Sequence, residues 1–173
     1  MSENKVTSSV LAGFFIGLIL IVFALITYFT GLYTESWNQW VGVLLLGGGI
    51  IFAIINNSKE RDHKVTFGNL FAFGFKTVAI ITLMMIAYTL LFNALFPDVK
   101  EKIIEIAREN ALKNPGQATE QQIEQSMEMF SKNYTVFVII LILFWYLVGG
   151  LVASLLGAAI AKKDGAETPF ENT

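Results

Sequence analysis

Residues 133–161 read NYTVFVIILILFWYLVGGLVASLLGAAIA, 29 positions without an Asp, Glu, Lys or Arg. An α-helix rises about 1.5 Å per residue and a bilayer hydrocarbon core is roughly 30 Å thick, so about 20 apolar residues cross it. The stretch exceeds that length. Its second half carries a further pattern: Gly149, Ala153, Gly157 and Ala161 recur every four residues, and Gly150, Ser154 and Ala158 repeat the spacing one position on. Small residues on one helix face let a second backbone come close, which is how helices gain packing energy in lipid. The pattern predicts a membrane-crossing helix with a packing face.

Three more runs lack charge: Val6 to Thr34, Ser36 to Ser58 and Thr77 to Pro97. Over all 173 residues the chain is 54 % hydrophobic and 15 % charged, against about 25 % charged in an average soluble domain. The reading is an all-α polytopic membrane protein, one domain over 1–173, with spans at about 9–29, 38–55, 70–96 and 134–161. The first run is too long for a signal-peptide core of about 7–15 residues, and no A-x-A-like site follows it, so it is read as a retained span. Trp37 and Trp40 open the second run, as aromatics do at a membrane interface. Gly13 with Gly17, and Gly49 with Ala53, are further small-residue pairs at helical spacing and join the packing set.

The segment VTFGNLFAFGFK at 65–76 repeats Phe67, Phe71 and Phe75 on one helical face. It fits either an interfacial elbow or the first turns of the third span, with Lys76 snorkelling its ammonium to water. Pro97 ends or kinks that span. Residues 98–133 form the one sizeable extramembrane element, predicted as a helical hairpin between spans three and four. Asp98/Lys102, Glu105/Arg108 and Glu109/Lys113 have the acid-first spacing that supports a helix. Asn114-Pro115-Gly116 marks a turn. Thr119 and Gln122 fit a capping box, and the stripe Ile123, Met127, Phe130, Tyr134 follows.

Four crossings place both termini on one side. If that side is the cytoplasm, it holds Lys5, Lys59, Arg61, Lys64, Lys162 and Lys163, with Lys76 near its edge. The first outer loop then has no Lys or Arg, and the hairpin has five against seven acids. Short loops carry the positive-inside signal more than long ones, so both termini are expected in the cytoplasm and the hairpin outside.

Composition excludes much chemistry. There is no cysteine, hence no disulfide, thiolate nucleophile or Cys-ligated metal. His63, alone of its kind and set among Arg61, Asp62 and Lys64, makes a poor metal site and reads as a surface residue. The stripes Glu101, Glu105, Glu109 and Glu120, Glu124, Glu128 read as solvated helix faces, although a cation or basic partner could use them. No ionisable residue lies near a span centre, where ion and proton pathways place them. Asn93, Thr82, Thr89 and Ser154 can hydrogen-bond neighbouring helices, and Trp145 and Tyr146 are read as packing residues. No nucleophile–base pair, glycine-rich phosphate loop or H-E-x-x-H is present. No catalytic, cofactor or metal site is expected, and no phosphate-tracking basic patch points to nucleic acid.

The chain resembles a bacterial membrane family, domain of unknown function 4199, found mainly in Bacteroidetes. The resemblance rests on the two opening helices, the Val65–Phe75 approach to the third span, the acidic stretch Glu120–Glu128 and the closing Gly150–Lys163 segment. It implies a bacterial inner membrane. The family has no established activity, so no residue inherits a role. The expectation is a non-enzymatic accessory or interaction protein whose partners are the bilayer and either a second copy or another membrane protein. The alternative is a small transporter or channel formed by oligomerisation.

Overall fold

The computed structural model describes residues 6–116 and 118–163. Among them the chain forms six α-helices, one short 3-10 turn at Leu32–Thr34 and no strand. The helices are α1 (Ser9–Phe29), α2 (Ser36–Glu60), α3 (Phe67–Leu95), α4 (Pro97–Lys113), α5 (Glu120–Lys132) and α6 (Tyr134–Ile160). Four of them, α1, α2, α3 and α6, are long and apolar enough to cross a membrane. The described residues fall into two compact units, 6–85 with 144–163, and Ile86–Leu143.

Helix ends follow local chemistry. Ser8 caps α1 by accepting from the Leu11 amide at 3.2 Å. Gly31, at φ +75°, supplies the left-handed residue after α1 that any side chain would strain. The Thr66 hydroxyl accepts from the Asn69 amide at 3.2 Å, so α3 starts at Phe67 and the 65–76 segment is its first turns, not an elbow. Phe67 stacks on Phe71 and Phe71 on Phe75, with centroids 6.3 and 6.2 Å apart. Helix α2 runs on to Glu60, beyond the expected end near Ile55. Pro97 stops α3 and occupies the first turn of α4, where its missing N–H is harmless.

The first unit is built on glycines. A Cβ added at Gly13 of α1 would lie 2.7 Å from the Ile80 Cβ and 2.9 Å from the Thr77 carbonyl oxygen of α3. At Gly17 it would meet the Met84 sulfur at 2.8 Å. Gly49 of α2 faces Ile16 of α1, Gly157 of α6 faces Ile54 and Ile51 of α2, and Gly150 of α6 sits against the Val78 side chain of α3. Gly74 of α3 fits between Ile54 of α2 and Ser154 of α6. Ile50, Ile54, Leu70, Val78 and Ile81 are fully buried among these crossings.

In the second unit Val99, Ile123, Met127 and Tyr134 are buried. Helices α4 and α5 pack on each other, and Arg108 bonds Glu124 between them at 2.6 Å. The Lys100 ammonium lies 5.5 Å from the centre of the Tyr134 ring. Thr119 accepts from the Gln122 amide at 3.3 Å while the Gln122 side chain accepts from the Thr119 amide at 2.9 Å, a complete capping box. Thr119→Ala should cost about 1 kcal/mol. Amide exchange should quicken in the first turn of α5, and unchanged protection there would contradict the cap's role.

Candidate functional site at one end of the four-helix unit

Polar side chains gather where α1 begins, α2 ends, α3 begins and α6 ends. The Glu60 carboxylate accepts from the Thr7 amide at 2.6 Å, the Thr7 hydroxyl at 2.7 Å and the Asn56 amide group at 2.6 Å. Asn57, itself buried, donates to the Thr7 carbonyl at 3.2 Å. The segment before α1 is thus tied to the last turns of α2 by side chains that read in sequence as a loop.

Ser58 makes the second tie. Fully buried, its hydroxyl donates to the Lys162 carbonyl at 2.5 Å and lies 3.0 Å from His63 Nδ1. A serine hydroxyl has one proton. With that proton on Lys162, the His63 Nδ1–H must donate to Ser58, which fixes the ring's tautomer. His63 thus sits at the surface half-buried, with one ring nitrogen engaged by Ser58. The turn that delivers it holds Asp62 and His63 at φ 50° and 61°, left-handed values that residues other than Asn, Asp and His seldom adopt. The Ser58 carbonyl accepts from the His63 amide at 2.8 Å and closes the turn. Lys163 completes the end of α6 by donating to the carbonyls of Ala158 and Ala159, with its ammonium 5.9 Å from the Phe67 ring centre.

Beside this network lies an open pocket of about 480 Å³ between the start of α1, the end of α2 and the first turns of α3. Val6, Ala72 and the buried Phe73 supply its apolar lining, and Thr7, Asn57 and Asn69 supply polar groups. Its two charged residues, Arg61 and Lys76, are both cations. Neither forms an ion pair with a described residue.

The small residues singled out from sequence occupy different surroundings. Gly13, Gly17, Gly49 and Gly157 stand at helix crossings, and Ala153 and Ala161 are buried. Gly149 is looser, with Leu46 3.9 Å from an added Cβ, and Ala53 is half-buried. The neighbouring set Gly150, Ser154 and Ala158 is fully enclosed. Gly74 was not distinguishable in sequence, because it stands alone within the Phe-rich segment. The six glutamates of α4 and α5 are all exposed. Glu109, Glu124 and Glu128 pair with Lys113, Arg108 and Lys132. The hydrogen bond from Lys132 holds the Glu128 carboxyl below its ordinary range. Among the described residues no group of His, Asp and Glu is placed to hold a metal ion.

The family model described as "Protein of unknown function (DUF4199)" matches residues 11–163. Apart from the first two residues of α1, that range takes in all four long apolar helices and both shorter ones, and the chain belongs to this family. No curated protein and no solved structure matches it.

Proposed function

We propose that this family member is a non-enzymatic protein of a bacterial cytoplasmic membrane that works by contact, with its α4–α5 pair as an extracytoplasmic hairpin offered to a partner. The observation that carries the reading is the division of labour within α4 and α5. Val99, Ile123 and Met127 are buried, whereas all six glutamates face outward together with Leu112 and Met129, and Glu101, Glu105 and Glu120 form no ion pair with a described residue. Such a surface complements a basic partner. A cytoplasmic position for both termini is supported by Lys59, Arg61, Lys64, Lys162 and Lys163, which fall in the short segments expected on that side, the pattern that retains a loop inside.

Two measurements test this. A reporter fused after Lys163 should read cytoplasmic, and an extracytoplasmic signal overturns the orientation. Purification in mild detergent should recover a stoichiometric partner that is lost from the Glu101→Lys, Glu105→Lys double variant. A lone monomer, or a partner held equally by that variant, removes the contact reading.

A further inference from the structure

We propose that the pocket between α1, α2 and α3 binds the phosphate of an anionic glycerophospholipid headgroup, held between Arg61 and Lys76. The residues that line it include two cations and no acid. The carboxylates on either side of Arg61, Glu60 and Asp62, do not line the pocket; Glu60 accepts from Thr7 and Asn56, although its charge is still felt by Arg61. Lys76 lies within α3, in a helix long and apolar enough to cross a bilayer, without an ion pair among the described residues. A charge in that setting stays only where something solvates it, and a phosphate at the headgroup level would do so. Asn69, whose side chain makes no hydrogen bond with a described residue, brings an amide donor to the same lining.

The rest of the pocket fits a lipid better than a free ion. Phe73, Ala72 and Val6 form an apolar flank against which a glycerol backbone and the first acyl carbons can lie. A cavity of about 480 Å³ exceeds what a bare phosphate needs and falls within the roughly 300–1,000 Å³ typical of small-molecule sites. Basic pockets between membrane helices are a recurrent way to hold phospholipid headgroups. The proposal does not depend on the α4–α5 contact reading or on which leaflet the pocket faces.

The test uses the full chain in neutral detergent, titrated with phosphatidylglycerol or phosphatidylcholine and read by native mass spectrometry. The wild type should prefer phosphatidylglycerol. The Arg61→Gln, Lys76→Gln double variant should lose about thirtyfold in that preference, since each cation at a membrane surface contributes about 1 kcal/mol. Lys59→Gln, Lys64→Gln removes equal charge from the same turn outside the pocket lining and should keep the preference. Ala72→Trp fills the pocket without removing charge and should also abolish the preference, which keeps the idea testable if the double variant is poorly made. No preference in the wild type, or equal loss in the Lys59 and Lys64 control, overturns the site. Displacement of the lipid by millimolar inorganic phosphate, with phosphate alone giving the same stabilisation, overturns the lipid assignment.

Discussion

Gly150→Leu is expected to remove most of the folded protein from a detergent extract. The position lies where α6 crosses α3, and a Cβ alone would fall on the Val78 side chain. Val78 is fully buried, so it has no solvent or lipid to move into. Overpacking a tight interior by a few carbons costs typically about 1–3 kcal/mol, and four new carbons at this crossing should reach or exceed the upper end. Gly48→Leu is the informative control. It is an exposed helical glycine with no atom within 4 Å of an added Cβ, and relief of glycine's helix penalty of about 1 kcal/mol should leave it neutral or slightly stabilised. Gly157→Leu should behave like Gly150→Leu, because its added Cβ would meet the Ile54 side chain at 2.8 Å. Leu155→Ala, on the exposed side of α6, should do little. Extraction yield and melting temperature in one detergent decide the matter, and equal values for Gly150→Leu and Gly48→Leu would refute the crossing.

Ser58→Ala is expected to loosen the end of the four-helix unit by about 0.5–1.5 kcal/mol, the usual net contribution of a hydrogen bond, since Ser58 is fully buried but its two partners are only part-buried. The change removes the donor to the Lys162 carbonyl and the acceptor of the His63 Nδ1–H at once. It also removes a side-chain link between the end of α2 and Lys162, beyond the end of α6. The left-handed turn at Asp62 and His63 would then rely on backbone bonds, so His63 should react faster with an imidazole-directed reagent in the variant than in the wild type. Ser126→Ala supplies the contrast. That serine is exposed, and its hydroxyl donates only to Gln122 of its own helix at 2.8 Å, so its loss should stay within about 0.5 kcal/mol. Equal melting shifts for the two variants would count against the tether.

What could be read in sequence was what a single helix encodes. The capping box of α5 involves residues three apart, and the ring ladder of Phe67, Phe71 and Phe75 residues four apart, so both were visible. The four long apolar helices were visible for the same reason, since length and hydropathy are properties of one segment. The end of α2 was not. Asn56, Asn57, Ser58, Lys59 and Glu60 have loop composition, and they remain helical in company with Thr7 and Lys162, which lie far away in the chain. The pocket was illegible for the same cause, as it joins residues near 7, 60 and 72. Gly74 was missed because its partners, Ile54 and Ser154, sit on two other helices and no repeat announces them.

The three tryptophans have a consequence of a different kind. Trp37 and Trp40 stand at the mouth of α2 and Trp145 near the middle of α6, and their exposures are 46 %, 66 % and 64 %. All three indoles thus look outward, yet at two heights along the helices. In a bilayer the first two report on the headgroup zone and the third on the hydrocarbon centre. The protein carries an intrinsic optical ruler, and quenchers seated at shallow and deep positions of the acyl chains would read its immersion depth without any label.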